Sequence, residues 1–408
     1  MPAVSQPYTP VQLVENARAL VPLLREHADE IDELGVLPRS VVTAMDAAGM
    51  FSIGIPGSHG GPAPVPVRQR TEVLMELGRG TAAAPWAVWA DLPTSEYLHH
   101  FGEQTVAEVL ATEHVGPLTG GSAFNLGTAV GIGTPTDGGM LLRGSWTFCS
   151  NARLAAWIFV GFTWTDESGA EQNSVALVPR KDFRVSDNWN VTAMQGSGSN
   201  SVYIEEDVFV PEYRIKPFMS GTEEEGLRVG ATIMLDFAAI TVGLALAALE
   251  VFTEKVAKRA PWGMPYAKMS EMPVVQSLVG RATTRINVGR TTLLADAQRV
   301  DDHLDSALVT TCGYDCIHIA HEMREVAEEL RNVMGTSALS VGDPLGRCAR
   351  DATALCLHGA VRQWSQESHG RLILGVEPPG EMSLSTLLGP GSLPKHTELI
   401  ETDPRTRW

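Results

Sequence analysis

Four short stretches of this 408-residue chain set reactive side chains close enough together to do chemistry. In Gly144-Ser-Trp-Thr-Phe-Cys-Ser-Asn151 a small hydroxyl, Ser150, follows Trp146 and Phe148 at alternating positions. Taken alone, that pattern is also an ordinary strand with large and small residues in alternation. Gly121-Ser-Ala-Phe-Asn-Leu-Gly127 offers a second hydroxyl, Ser122, in what reads as a turn. Lys258-Arg-Ala-Pro-Trp-Gly263, with Gln276 downstream, offers the guanidinium fork of Arg259 to a phosphate, and Trp262 as a stacking or packing surface. A solvated helix end would look the same. Arg331-Asn-Val-Met-Gly-Thr-Ser-Ala338 leads through Asp343-Pro-Leu-Gly-Arg347 to Arg350-Asp-Ala-Thr-Ala-Leu-Cys-Leu-His358. The turn at Gly335 opens near a helix N-terminus, where an anion is favoured. His358 could orient or deprotonate a phenol or an amine, or be a satisfied histidine of a helix surface.

Other groupings carry less. Cys312, Cys316, His318 and His321 fall inside a helical pattern at a spacing unlike a zinc finger or ribbon, so no metal is expected. Glu205, Glu206 and Asp207 sit beside a strand end and read as solvated. No G-x-G-x-x-G follows a strand and opens a helix, so no nicotinamide site is expected. The formal net charge of -17 argues against nucleic acid or an anionic membrane as partner. Five cysteines in a chain this long fit a reducing compartment. The start of the chain lacks the pattern of a signal peptide, and no run approaches 18 apolar residues, so the expected location is the cytoplasm.

The elements that must position these residues fall into three blocks. Helical spacing runs from Thr9 to about Leu110, broken by the Gly/Pro stretch that begins at Phe51. From about Gly116 to Arg214 glycine is dense and short alternating segments appear: Met140 to Phe148, Ala156 to Thr163, Ser174 to Val178 and Val202 to Val210. Asp137-Gly138 is a hairpin signal. Helical patterns return afterwards. Phe237 to Leu249 is apolar almost all round, and Val274 to His303 and Leu308 to Val333 are long and amphipathic. The expected class is α+β, with an N-terminal helical domain over 1–115, a middle β-domain over 116–215, and a C-terminal helical bundle with tail over 216–408.

The order of blocks and the four stretches resemble the acyl-CoA dehydrogenase superfamily over nearly the whole chain. The last part of the β-block, Trp189 to Arg214, is similar to the end of that family's β-domain. Within the superfamily the chain looks more like the group D, two-component flavin-dependent monooxygenases. These include the oxygenase component of 4-hydroxyphenylacetate hydroxylase, dibenzothiophene monooxygenase and the nitrososynthases. The first stretch is similar to G-x-W-x-F-x-S-G/N, the third to R-x-x-F-G with tryptophan in place of phenylalanine, and the fourth to a run ending R-D-x(6)-H. Trp86 matches a tryptophan of the relatives. Where several of them keep a pocket histidine about two turns later, this chain reads Leu92-Pro-Thr-Ser95, with Asp91, Tyr97, His99 and His100 as nearby candidates.

The resemblance implies a specific reaction. Reduced FMN (or FAD) from a separate NAD(P)H:flavin reductase would react with O2 to a C4a-hydroperoxide that oxygenates a small organic substrate, aromatic or heteroaromatic. It implies catalytic roles for His358, Ser150 and Ser122. It implies flavin contacts from Trp86, Trp146, Phe148, Ser150, Asn151, Arg259, Trp262, Gln276, Asn332 and Gly335, with the Arg259 group reaching a flavin bound mainly by an adjacent subunit. Trp146 and Phe148 would flank the Ser150 hydroxyl near flavin N5 and keep water out. A loop insertion is expected near Gly131 to Asp137. The family habit implies a homotetramer, a dimer of dimers. The alternative reading is an FAD-dependent acyl-CoA dehydrogenase. Its carboxylate base is not evident in Ser368-His-Gly-Arg-Leu-Ile-Leu-Gly375.

Overall fold

The computed structural model describes residues 8–55, 61, 64–121, 131–218, 222–361, 370–371 and 373–376. Among the described residues the chain opens with six α-helices: α1 (Pro10–Glu26), α2 (Ala28–Leu34), α3 (Arg39–Ala47), α4 (Val67–Gly78), α5 (Ala83–Tyr97) and α6 (Glu103–Leu110). Thr9 starts α1 with a capping box to Gln12, and Pro10 sits in the first turn, where its missing N–H costs nothing. Leu13, Ala17, Leu20 and Leu24 form the buried stripe of α1, which packs on α4.

Eight strands follow among the described residues: β1 (Thr119–Gly121), β2 (Ile132–Thr136), β3 (Gly139–Trp146), β4 (Trp157–Thr165), β5 (Glu171–Pro179), β6 (Arg184–Val185), β7 (Val202–Pro211) and β8 (Ile215–Pro217). They form one sheet in the order β6-β7-β3-β2-β4-β5-β8, with β1 pairing in parallel to β4. The stretch expected as an inserted loop is instead strand β2, joined to β3 by the two-residue turn Asp137-Gly138. Gly138 alone of the two is left-handed, at φ 74°, as the third position of a type II turn demands. One face of the sheet closes over Trp146, Ile158, Val160, Phe162, Val178 and Val202. On the other face Trp157, Phe159, Val175 and Leu177 pack against Leu98, Phe101, Val106 and Val109 of the α5–α6 region. Strands β4 and β5 are therefore buried on both sides, which explains their near-continuous apolar sequence.

The C-terminal block is α7 (Glu223–Lys258), α8 (Pro273–Asp302), α9 (Ser306–Met334) and α10 (Pro344–Cys356). Helix α7 starts with a Thr222/Glu225 capping box, carries three glutamates in its first turn and has Lys255 and Lys258 in its last, all favourable to the helix dipole. It is long and apolar enough to cross a membrane by composition, yet α4, α8, α9 and α10 surround it. Its apolarity is that of a central core helix. The crossing with α4 is tight because Gly78 and Gly243 meet there. A Cβ on Gly78 would lie 3.1 Å from the Ile240 carbonyl oxygen and 3.2 Å from the Gly243 Cα. One continuous core joins the N-terminal helices to this bundle. The central charge network Arg70–Asp236–Glu96 ties α4, α5 and α7 together.

Candidate functional site

Past Trp146 the backbone leaves β3 in a turn that no glycine makes easy. Phe148 and Asn151 both adopt left-handed backbone, at φ 56° and 62°. Such conformations persist in larger residues only where surrounding contacts hold them. Here the contacts are many. The Cys149 N–H donates to the Asn200 carbonyl at 3.0 Å, and the Gly121 N–H donates to the Ser150 carbonyl at 3.1 Å. The Asn151 Nδ2 donates to the Ala87 carbonyl at 2.7 Å. Gly120 passes so closely over the Ser150 carbonyl that a Cβ would strike the Asn151 side chain at 3.0 Å. The turn is thus fixed by β1, by α5 and by the segment before β7.

It presents Ser150 into a chain of hydroxyls. The Trp86 indole N–H donates to Ser150 Oγ at 3.0 Å, Ser150 and Ser199 share a hydrogen bond of 2.8 Å, and Ser199 and Ser197 share one of 3.0 Å. Ser197 and Ser199 come from the Gly/Ser turn ahead of β7, whose entry residue Met194 is also left-handed, at φ 54°. Asp351 on α10 accepts the Met194 N–H at 2.7 Å and pins that turn. Neither Ser199 nor Asp351 stood out as a site residue in the sequence, because the contacts that assign them span 49 and 157 residues.

The two aromatics expected to flank Ser150 part company. Phe148 is 42% exposed and stands on the open side, with its ring edge-on to Trp189. Trp146 lies inside the sheet core with its N–H on the Gly161 carbonyl at 2.7 Å. A strand's period of two would set both rings on one face, but β3 ends at Trp146 and the positive φ at Phe148 turns the second ring away. Trp146 supports the turn from within and offers no surface there.

His358 follows α10 on a short turn. Its ring lies 4.5 Å from that of Phe237 and edge-on to Trp86 and Trp89 at 6.0 and 6.2 Å. Nδ1 accepts the Ala360 N–H at 3.2 Å, so the neutral ring carries its proton on Nε2 and presents a donor. Asp91, by contrast, is consumed structurally. Its carboxylate accepts the Thr119 N–H at 2.7 Å and the Ser95 hydroxyl at 3.0 Å, and burial pushes its carboxyl up to about 6. Tyr97 stacks on His100, which faces Glu225 at 3.3 Å. Ser122 and the side chain of His99 lie outside the described residues.

The remaining expected site residues gather elsewhere. Arg259 caps the end of α7 and donates to the Met334 carbonyl at 3.2 Å and the Ser337 hydroxyl at 2.8 Å. Trp262 is 98% exposed. Gln276 bonds the Ser270 carbonyl, and Asn332 and Gly335 lie exposed at the end of α9, with Gly335 at φ 69°. From Phe237 to Arg259 along α7 is roughly 33 Å at 1.5 Å per residue. Within one chain the Arg259 group does not meet the Ser150 turn.

Two family models match this sequence: "Acyl-CoA dehydrogenase, N-terminal domain" over residues 11–114 and "Acyl-CoA dehydrogenase, C-terminal domain" over residues 235–363. Together they cover more than half of the chain. The chain belongs to the acyl-CoA dehydrogenase family.

Family members with similar sequences include the flavin-dependent monooxygenase oxygenase subunit HsaA of Rhodococcus jostii, 26% identical over 84% of this chain and 92% of that one. The oxygenase component of an FADH2-dependent resorcinol hydroxylase from Rhizobium sp. is 26% identical over 93% and 98%. Among solved structures, XiaF from Streptomyces sp., crystallised with FADH2 and glycerol, superposes with a TM-score of 0.81 at 22% identity, covering 92% of this chain and 98% of that one. At that identity the superposition speaks for the fold.

The group implied by these similarities is a flavin, and the Ser150 turn fits one. Asn151 is 1% exposed, and its Oδ1 is buried with no donor among the described residues. A buried acceptor left in this state is costly unless a bound group supplies an N–H. The isoalloxazine edge of a reduced flavin carries such N–H groups, and the open Phe148 ring beside it offers a packing surface.

Proposed function

We propose that this chain is the oxygenase component of a two-component flavin-dependent monooxygenase. It takes reduced FMN (or FAD) from a separate NAD(P)H:flavin reductase and transfers one oxygen atom of O2 to a small aromatic or heteroaromatic substrate. The names of the curated relatives support this, and one observation in the site carries it. A strained turn holds the Ser150 hydroxyl between an indole N–H and a second serine, beside the unpaired acceptor of Asn151.

When bound there, reduced flavin supplies the two electrons that activate O2. The residues of this chain do the rest. Asn151 and Phe148 hold the ring edge. Ser150, kept in one orientation by Trp86 and Ser199, presents a hydroxyl to the flavin with no reorganisation at the moment of reaction. The buried surroundings of the turn keep water away from it. His358, with its proton on Nε2, donates a hydrogen bond to the substrate and orients it. Ser122 is proposed for the substrate side on the family resemblance alone.

The dehydrogenase alternative needs a carboxylate free to take a proton from carbon. Near the ring cluster, Asp91 is held by Thr119 and Ser95, Asp236 by Arg70, and Asp351 by Met194. Among the described residues none of these is available as that base.

The distance between the Arg259 group and the Ser150 turn supports a site completed by a second copy of the chain. Arg259, Trp262, Gln276, Asn332 and Gly335 would serve the phosphate end of a flavin seated on a neighbour, in a homotetramer arranged as a dimer of dimers. All five cysteines are buried and form no disulfide with one another, as suits the cytoplasm.

Rapid mixing tests the reading. Protein loaded anaerobically with reduced FMN and then exposed to O2 gives a transient near-ultraviolet absorbance before oxidised flavin appears. Direct return to oxidised flavin overturns it.

A further inference from the structure

The indole of Trp89 is turned the wrong way for a residue in its position. Trp89 is partly exposed, and half-exposed indoles ordinarily put the N–H in water and the carbocycle inside. Here the Nε1 atom is fully buried and has no acceptor among the described residues. A buried N–H without a partner carries a full desolvation penalty, so its persistence points to a partner present in the working protein.

Its surroundings indicate what kind of partner. Trp86, Trp89, Phe237 and His358 form a closed set of rings, with every pair of centroids 4.5 to 6.2 Å apart and most pairs edge-on. Trp86 is the residue that holds Ser150. Trp86 and Phe237 are buried, whereas His358 is exposed and sits on a turn rather than within a helix. His358 is thus the side of the set that faces solvent. A planar ring entering there meets aromatic faces and edges on its flanks. It also meets one donor, the Trp89 N–H. The carboxylates closest in sequence to these rings, Asp91 and Asp236, are committed to other partners, so neither supplies the missing acceptor.

We propose that the Trp89 indole N–H is a specificity-determining donor that reads an acceptor oxygen, such as a phenolic, carbonyl or carboxylate oxygen, on an aromatic substrate. This rests on the oxygenase reading of the site and adds the residue that recognises the substrate. Among the described residues Trp86 is the ring that both meets Trp89 and donates to Ser150, so the role of Trp89 can be read apart from flavin binding. An aromatic ring lacking an oxygen would pack in the same place and leave the N–H unpaired.

The test uses the flavin-free full chain and three probes: resorcinol, p-hydroxyphenylacetate and, as the oxygen-free ring, toluene. The indole N–H resonance of Trp89 in proton–nitrogen correlation spectra is assigned as the one missing from Trp89→Phe. It is expected to move to higher proton frequency with at least one oxygenated probe and to stay unmoved with toluene. Trp89→Phe keeps a ring in the box and is expected to weaken that oxygenated probe about tenfold, with toluene binding and reduced-FMN affinity unchanged. A resonance that ignores both oxygenated probes, or equal probe affinity in Trp89→Phe and the parent, overturns the proposal. Loss of the near-ultraviolet transient in the parent protein sinks the oxygenase reading instead, and the probe titration still reads Trp89 by itself.

Discussion

Asp351 Oδ1 lies 2.7 Å from the backbone N–H of Met194 and accepts its hydrogen bond, joining the core of the helical bundle to the Gly/Ser turn that feeds Ser199 toward Ser150. The carboxyl sits 5% exposed on α10, the helix that His358 follows. One buried side chain therefore couples the turn that carries Ser199 to the helix that His358 follows. Burial pushes this carboxyl up to about 7, with Asp32 on α2 adding to the shift; the Met194 N–H, Arg350 and Arg347 oppose it.

That pairing makes stability depend on pH with a definite sign. The folded protein holds a proton on Asp351 up to about 7, whereas the unfolded chain releases it near 3.8, so ionisation of this group lowers stability as pH rises through that window. Asp351→Asn keeps an acceptor for Met194 and removes the titration. Its melting temperature relative to the parent should rise between the two values and level off above the upper one. Parallel melting curves across that range would refute the assignment.

Ser150→Ala leaves the Trp86 N–H without its acceptor and leaves Ser199 with Ser197 alone of its two hydroxyl partners. A loss of about 1–3 kcal/mol in unfolding free energy is expected. The near-ultraviolet transient should decay at least tenfold faster, with more peroxide released, while Ser150→Thr keeps most of both. Unchanged decay in the alanine variant would remove Ser150 from the proposed chemistry.

His358→Gln should leave the transient intact and lower oxygen transfer to substrate by about 100-fold, the reducing equivalents appearing as peroxide. Product yield per flavin oxidised is the measurement. A yield equal to that of the parent would make His358 a packing residue.

Arg259→Ala and Ser150→Ala carry their lesions in separate places on one chain, at the C-terminal end of α7 and in the turn after β3. If each flavin is held by two chains, unfolding the two variants together and refolding them as mixed oligomers restores part of the activity that neither has alone. Mixtures as inactive as the separate variants would show that the Arg259 group serves no neighbouring flavin.

Gly243→Val should destabilise the protein by about 1–3 kcal/mol without touching the Ser150 turn, because any Cβ there runs into the Met75 carbonyl of α4. Thermal melting with and without reduced flavin separates this loss of packing from a loss of ligand.

Much of the fold was legible because its signals are local. The buried stripe of α1, the all-round apolarity of α7 and the Asp137-Gly138 hairpin each follow from periods and turn chemistry within a few residues. The residue types of the site were legible too: a hydroxyl after two aromatics, and a histidine seven positions past an aspartate. Tertiary structure alone decided the rest. Non-glycine residues at Phe148, Asn151 and Met194 give no sign in sequence of left-handed backbone, since only contacts from distant segments hold them there. Those contacts also turned Trp146 into the core, gave Asp351 its role and buried the Trp89 N–H. They placed Arg259 beyond reach of Ser150 within one chain as well. Periodicity states which face of an element is buried; which partner covers it is settled only when elements far apart in sequence pack together.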